Sequence, residues 1–201
     1  MQNGSGDVTG TMPEGLKALM SRADRKDMAL PPVDKWNPEF CGDLDIRIAR
    51  DGTWFYLGSP IGREALVKVF ASVLRKDEDG RHYLVTPVEK IGITVEDAPL
   101  LAVELAVEGD GQSQLVSIRT NLGDLVKIGP DHYLRFEMEP ESDGLKPYVN
   151  VRGRLEALFT RPLMYQLVDL MEQRDGDEGT EMGLWSGGEF FRVAPEFLAA
   201  G

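Results

Sequence analysis

Apolar residues recur along this chain at two spacings, every second residue or at helical intervals, and polar turns separate the segments. Between Asp45 and Pro99 the pattern predicts a hairpin, a helix, a strand and a polar elbow with almost no connecting residues. Beyond this stretch alternation dominates, which predicts a mainly β second half. The pattern therefore describes the architecture more fully than any motif describes a reaction.

The Asp51-Gly52 pair predicts a two-residue hairpin turn, because both residue types tolerate positive φ. In that register Ile48 pairs with Phe55 on an apolar face, which is expected to join the core. Arg47 then lies beside Tyr56 on the opposite, amphipathic face. Either a helix or a ligand would cover that second face.

Ser59-Pro60 is a favoured pairing for the N-cap and the first residue of a helix. Lys68 and Arg75 fall on one face of this predicted helix, and the acidic turn at Asp77–Gly80 ends it. The next strand is expected at Tyr83–Val85. The buried stripe of the helix is predicted from helical spacing to be Leu66, Val69, Phe70 and Val73.

Two more helices are predicted, from about Glu14 to Met28 and from Thr160 onward. A second hairpin turns at Asp110-Gly111 and pairs Leu105 with Val116 on one apolar face. Alternation predicts further strands through Leu134, Phe136 and Met138, at Tyr148–Arg152, and in a closing ribbon through Leu184-Trp185 and Phe190-Phe191.

Strands joined mostly by hairpins, with about three helices, favour an α+β fold of two small domains over a doubly wound parallel sheet. Residues 1–12 are polar and Gly-rich and are expected to be disordered. Residues 13–87 are expected to form an α+β domain. Residues 88–201 are expected to form a mainly antiparallel β domain with one helix.

Composition narrows the range of partners. The 201 residues carry a formal net charge of -12 at pH 7, which argues against nucleic acid and anionic membranes as partners. No segment approaches the roughly 20 apolar residues of a membrane helix, and no signal pattern is present, so a cytoplasmic location is expected. One cysteine, Cys41, and two histidines leave little material for a metal site, and no metal or cofactor is predicted.

Motifs of common enzymes are absent, including the phosphate loop, the dinucleotide fingerprint, the nucleophile elbow and the HExxH helix. His82 and His132 lie in or beside predicted strands, where a lone histidine is usually an ordinary hydrogen-bonded residue. The balance leans away from an enzyme. The enzyme hypothesis that stays open is a hydrolase with Glu89 or Asp97 as general base.

Cations, aromatic residues and one asparagine at the ends of predicted elements form the candidate ligand-binding site. The asparagine would hydrogen-bond to polar edges of the ligand. A cation in a chain this acidic can bind an anionic group, and an arginine can grip phosphate with two hydrogen bonds. An aromatic ring would stack a planar ligand, with a core position as its alternative. The residues are Trp54, Tyr56, Arg75, Lys90, Asn121 and Arg152, and a structural role is the alternative for each.

Two hypotheses of function follow. In the first, a small anionic or nucleotide-like ligand lies in a cleft between the two domains, where ligand sites are common. In the second, the protein is an adaptor that contacts another protein through the first hairpin or the closing ribbon. The ribbon residues that motivate the adaptor are Trp185, Phe190 and Phe191.

Several co-linear segments carry a family resemblance. In the first half they are DGTWFYLGSPIGREALVKVFASVLR, DGRHYLVTPVEK and ITVEDAPLLAV, and in the second half TNLGD and PYVNVRGRLEALFTRPLMY. Together they resemble the bacterial family called domain of unknown function 1285. The resemblance implies an unusual two-domain fold with a cleft, a nucleotide-like ligand and a signalling role, and it carries over no catalytic residues.

Overall fold

The structure is a computed structural model that describes residues 13–20, 30–139, 144–176 and 179–194. Residues 1–12, for which disorder is expected, lie outside these ranges, as do the residues beyond 20 in the helix predicted up to Met28. The chain divides into two compact units, Met1–Asp97 and Ala98–Gly201. The fold is α+β with mostly antiparallel strands, as the sequence predicts.

The first unit is built on a six-stranded sheet. Its helices in the described residues are α1 (Glu14–Met20) and α2 (Glu64–Ser72). Its strands are β1 (Phe40–Ile48), β2 (Trp54–Tyr56), β3 (Ser59–Pro60), β4 (Leu74–Lys76), β5 (His82–Val85) and β6 (Lys90–Val95). They lie in the order β3-β2-β1-β6-β5-β4, and only β1 and β6 run parallel.

The first hairpin has a longer turn than predicted, and this moves its side chains to the other face. Thr53 O accepts a hydrogen bond from Ala49 N at 2.9 Å, so Ile48 pairs with Trp54 instead of Phe55. Because side chains alternate along a strand, a slip of one residue exchanges the two faces. Trp54 therefore lies in the core, and the predicted register is wrong.

Helix α2 begins at Glu64 and not at Ser59-Pro60, because those two residues pair with β2 as strand β3. The helix ends at Ser72, and Arg75 lies on β4. The helical face predicted to hold Lys68 and Arg75 together is therefore wrong. The apolar stripe is confirmed, with Leu66, Val69, Phe70 and Val73 all buried.

The domain boundary expected at residues 87/88 falls inside the first unit. Strand β6 lies between β1 and β5 and pairs with both, in parallel with β1 and antiparallel with β5. Residues 88–97 therefore complete the sheet of the first unit. The division between the units lies at Asp97 and Ala98.

The second unit contains a six-stranded sheet, a three-stranded ribbon and one described helix, α3 (Arg161–Asp169). The strands of the sheet are β7 (Leu100–Glu108), β8 (Leu115–Thr120), β9 (Leu125–Lys127), β10 (Leu134–Glu139), β11 (Gly144–Arg152) and β12 (Leu155–Phe159). Their order is β10-β11-β12-β7-β8-β9, and only β12 and β7 run parallel. The ribbon comprises β13 (Glu172–Gly176), β14 (Gly179–Ser186) and β15 (Glu189–Val193).

The hairpin of β7 and β8 keeps its predicted faces although its register differs. Leu105 pairs with Ile118, and Val107 takes the place opposite Val116. A shift of two residues leaves each side chain on the same face of the sheet. Val116 and Ile118 are accordingly buried in the core, with Leu163 and Leu167 of α3 in the same apolar cluster.

The ribbon is fastened to the edge of this sheet by buried hydrogen bonds. Ser186 is fully buried, and its hydroxyl donates to Ile128 O at 2.7 Å and accepts from Val116 N at 2.9 Å. At the tip of the ribbon Gly187 has φ +59°, and a Cβ there would lie 3.0 Å from Ile128 O. Only glycine meets both conditions without strain, so the tip can approach the segment after β9 closely.

Candidate functional site

Arg75, the strongest anion-binding candidate from the sequence, is committed to contacts within the first unit. Its guanidinium donates to the Asp77 carboxylate at 2.5 and 3.1 Å. The remaining nitrogen donates to the carbonyl oxygens of Val33 and Trp36 at 2.9 and 2.7 Å. Arg75 thus joins the segment before β1 to strand β4, which is a structural role.

Lys90 meets Arg75 at the same carboxylate. Its Nζ lies 3.1 Å from Asp77 Oδ2 and 4.5 Å from the centre of the Tyr83 ring. Partial burial acts to raise the pKa of Asp77, but the hydrogen bonds from Arg75 and Lys90 outweigh it, so this pKa lies below its ordinary value. The structure brings these two predicted cations together, and Asp77 occupies the place an anion would take.

Trp54 and Tyr56 lie in the apolar core on the opposite face of the sheet from Arg75. Their exposed fractions are 1% and 4%, and Trp54 stacks on Phe70 of α2 with ring centroids 6.3 Å apart. Neither the Trp54 Nε1–H nor the Tyr56 hydroxyl has a hydrogen-bond partner in the described part of the chain. The packing matches the core alternative that the sequence left open for Trp54.

Asn121 and Arg152 support one turn of the second unit, the TNLGD segment between β8 and β9. Asn121 Oδ1 accepts the Leu101 backbone N–H at 3.0 Å, and Arg152 Nη1 donates to Asp124 Oδ1 at 3.0 Å. The Thr120 hydroxyl donates to the other oxygen of Asp124 and accepts its backbone N–H. The motif is therefore a closely hydrogen-bonded turn.

Glu89, the carboxylate considered as a general base, lies at the N-terminus of α1. Its Oε2 accepts the Gly15 backbone N–H at 3.0 Å, and a carboxylate in this position also interacts favourably with the helix dipole. The Thr86 hydroxyl accepts the backbone N–H groups of Val88 and Glu89 and holds the turn. These contacts give Glu89 a capping role.

The aromatic residues of the ribbon pack against one another and against a cation. The rings of Trp185 and Phe190 meet edge to face at 5.1 Å, and the Arg174 guanidinium lies 3.9 Å from the Phe190 centroid. Glu181 accepts hydrogen bonds from both Arg174 and Arg192. The rings of Trp185, Phe190 and Phe191 are partly exposed. Partial exposure alone does not show contact with another protein, so the adaptor hypothesis stays a prediction.

The structure contains an open hollow in the second unit that the sequence did not predict. It has a volume of about 560 Å³ and lies along β9, the edge strand of the sheet. One wall includes His132, whose Nδ1 lies 3.1 Å from Asn150 O. The residues that line it are Leu115, Ser117, Leu125, Val126, Lys127, Ile128, Gly129, Pro130, Asp131, His132 and Gly187.

Lys127 distinguishes this hollow electrostatically. Each other lysine and arginine in the described residues of the second unit has an ion pair, a hydrogen bond or a ring contact, whereas Lys127 has none. In the sequence Lys127 precedes a Gly-Pro-Asp turn, which marks the end of a strand. That signal says nothing about missing partners, because partners come from other strands.

Two kinds of site are absent from the described residues. No helix there is both long and apolar enough to cross a membrane. No group of three or more His, Cys, Asp or Glu side chains there is arranged to hold a metal ion.

Comparisons with known proteins agree on one family. Residues 31–98 match the N-terminal domain, and residues 99–193 the C-terminal domain, of proteins of unknown function termed DUF1285. A crystal structure of a DUF1285 family protein from Silicibacter pomeroyi is 46% identical, covers 90% of this chain and 97% of its own, and superposes with a TM-score of 0.81. Another, from Shewanella baltica, is 29% identical over 62% of this chain and 90% of its own, with a TM-score of 0.48. The comparison with curated proteins gave no match.

Proposed function

The chain belongs to the DUF1285 family, whose domain descriptions state no activity, and on this premise we propose that it binds a small anionic ligand in the hollow along β9. The observation that carries the proposal is the combination of an open cavity with Lys127, a cation without a partner among the described residues. A volume of about 560 Å³ is in the range of small-molecule sites, roughly 300 to 1,000 Å³. The negative charge is the part of the ligand that this site recognises.

The walls supply what such a site needs besides charge. Leu115, Leu125 and Pro130 offer apolar surface, and Ser117 offers a hydroxyl that can donate or accept a hydrogen bond. A site of this kind binds through apolar contact and is oriented by a few polar groups. No aromatic side chain other than the imidazole of His132 lines the hollow, so a nucleobase would lack the stacking surface expected from the sequence.

Lys127 is the discriminating residue in a chain of net charge -12. An anion approaching most cations of the second unit would compete with a carboxylate already in place, as at Arg152 and Asp124. At Lys127 it would displace only water. A ligand-binding role for the six residues named from the sequence stays a prediction.

Titration of the ¹⁵N-labelled protein with acetate, phosphate, AMP and N-acetylglutamate tests the proposal. Saturable chemical-shift changes are expected at the backbone amides of residues 125–132 for at least one anion, and they should be lost in Lys127→Gln. The matched control is Lys68→Gln, which removes an exposed lysine of the first unit that pairs with Glu64 and should leave the titration unchanged. Absence of saturable shifts in this segment with all four anions would refute the hollow as a site for a small anionic ligand.

A further inference from the structure

We propose that the natural ligand of the hollow is a short acidic peptide, which adds to β9 as a further strand of the sheet. This inference rests on the proposed function and names the class of ligand. Strand β9 is the last strand on its side of the sheet, with β8 as its single neighbour. An edge strand of this kind can pair with an extended peptide through main-chain hydrogen bonds.

The hydrogen-bond pattern shows which groups of β9 are available. Thr120 N donates to Asp124 O, and Ile128 N donates to Val116 O, both at 2.9 Å. In an antiparallel ladder such bonded pairs alternate with non-bonded pairs, so Val126, between them, is the residue of β9 that bonds to β8. The backbone N–H and C=O groups of the two flanking residues, Leu125 and Lys127, therefore point away from the sheet.

These outward groups have no partner in the described ranges, and they border the hollow. Leu125 is 72% exposed, and both Leu125 and Lys127 line the cavity. Leu125 and Lys127, with Val126 between them, together offer two backbone N–H donors and two C=O acceptors. Their spacing matches that of the hydrogen-bonding groups on one side of an extended peptide. Beyond them Gly129 and His132 bond to each other, which ends the free edge and limits the peptide to a few residues.

Charge selects the kind of peptide. The ammonium group of Lys127 is next to the free backbone groups and lacks an acidic partner in the described structure, so an Asp or Glu side chain of the peptide would supply one. The apolar wall formed by Leu115 and Pro130 would receive a small aliphatic side chain. Lysine on a short edge strand also discourages pairing with a second copy of the chain, and a mere blocking role for Lys127 is the alternative outcome of the test.

The probe is the acetylated and amidated pentapeptide Thr-Val-Glu-Val-Thr, with binding to the full chain followed by NMR titration. Two changed peptides separate the contributions: Gln in place of Glu removes the charge, and N-methylation of the two valine amides removes N–H donors on one side of the peptide backbone. A second N-methylated peptide, blocked on the Glu and the following Thr amides, tests the other side. One of the two methylated forms is expected to bind about tenfold more weakly than the other, the scale of one or two hydrogen bonds.

Variants of β9 test the same geometry from the protein side. Leu125→Pro removes one outward N–H without breaking a bond to β8, since proline is tolerated at such edge positions, and about tenfold weaker binding is expected. Leu125→Ala keeps that N–H and should bind within about twofold of the parent protein. Lys127→Gln should weaken the Glu peptide about tenfold and leave the Gln peptide unchanged.

The outcomes distinguish the two proposals. If N-acetylglutamate or another small anion binds through Lys127 and the peptide does not, the proposed function stands and strand addition is wrong. Peptide binding that is equally insensitive to Leu125→Pro and to both methylation patterns would also overturn strand addition. If neither the peptide nor any small anion binds, both proposals fail and Lys127 only blocks the edge.

Discussion

Two buried tyrosines of the first unit differ in whether their hydroxyl has a partner. The Tyr83 hydroxyl donates to Asp79 Oδ2 at 2.5 Å, whereas that of Tyr56 has no partner among the described residues. A buried polar group without a hydrogen bond loses its hydration, and no protein hydrogen bond compensates for the cost of desolvation. The two hydroxyl groups therefore contribute to stability with opposite signs, although both rings are buried.

Replacing Tyr56 by Phe is expected to leave the free energy of unfolding unchanged or to raise it by about 1 kcal/mol, because the unpaired hydroxyl disappears and the ring remains. Tyr83→Phe is the matched control, and it should lower the free energy of unfolding because it breaks a hydrogen bond. Urea unfolding of both variants measures the difference. A clear loss of stability in Tyr56→Phe would show that its hydroxyl is bonded after all.

Asp77 makes the stability of the first unit depend on pH. Its pKa in the folded protein is held below the ordinary value by Arg75 and Lys90, so folding is favoured by its ionised form. This stabilisation is present in full above the unfolded pKa of about 3.9 and is lost as the pH falls through the lower, folded pKa.

The variant Asp77→Asn is therefore expected to be less stable at neutral pH by about 2 kcal/mol, the scale of hydrogen bonds to a charged group. Its stability should also fall less steeply in acid than that of the parent protein. Asp131→Asn, at an exposed position of the second unit, should keep the parent profile. Parallel acid profiles for Asp77→Asn and the parent would contradict the assignment.

The charge partners explain why the candidate site was not predictable residue by residue. Arg75 lies in the middle of β4 and not at the end of an element, and its bond to Asp77, two residues away, is local. Its bonds to the carbonyl oxygens of Val33 and Trp36 form only when distant segments pack. Lys90 reaches Asp77 only after β4, β5 and β6 have paired. Lys127, in contrast, has no charge partner among the described residues. Nothing in the neighbouring sequence indicates this, because it depends on how the strands of the folded sheet pair. Pairing between distant strands therefore decided which cations were available.

At the scale of elements, the N-terminus of α1 depends on a carboxylate from a distant turn. Glu89→Ala is expected to lower the free energy of unfolding by about 1 kcal/mol, because the Gly15 N–H loses its acceptor. Glu89→Gln should lose less, since its side-chain oxygen can still accept the bond and only the charge near the helix dipole is removed. Equal losses in the two variants, measured by urea unfolding, would argue against capping.

The attachment of the ribbon to its sheet depends on one hydroxyl. Ser186→Ala would leave the Val116 N–H and the Ile128 C=O without a side-chain partner in a buried position, and a loss of about 2 kcal/mol is expected. Ser113→Ala is the control, because Ser113 is exposed and its hydroxyl bonds only to Asp110 O among the described residues. Since Ile128 lines the hollow, Ser186→Ala should also weaken anion binding. Unchanged stability would show that the ribbon is held by its apolar contacts.

The helices and strands themselves were largely predictable from the sequence. The two hairpins show that turn length and strand register were not. Both turns were located from Asp-Gly pairs, but the number of residues in each turn was wrong. In the second hairpin the error was two residues and preserved the faces, whereas in the first it was one residue and moved Trp54 from the amphipathic face to the core. Turn length depends on backbone bonds such as that from Ala49 to Thr53, which composition does not specify.

At the scale of the whole molecule, each unit is organised around a six-stranded sheet that combines antiparallel pairs with one parallel pair. In the first unit the parallel pair is β1 with β6, and in the second it is β12 with β7. A parallel pair needs a crossover connection, so the two strands that meet at the centre of each sheet come from distant parts of the unit. Each sheet is therefore complete only when its last strand has been added.

This requirement gives a sharp test of the boundary between the units. A fragment of residues 1–97 contains β6 and is expected to unfold cooperatively in urea, whereas a fragment of residues 1–87 lacks the central strand and should not. Without β6 the inner edges of β1 and β5 would have no neighbouring strand, and their backbone groups would lose a full ladder of hydrogen bonds. The fragment of residues 98–201 carries the complete second sheet, the ribbon and Lys127, so it should fold and still show the shifts of residues 125–132 with the anion that the full chain binds. Cooperative unfolding of the shorter fragment would place the boundary at 87/88 after all, and loss of the titration in a folded 98–201 fragment would show that the hollow alone is not sufficient for binding.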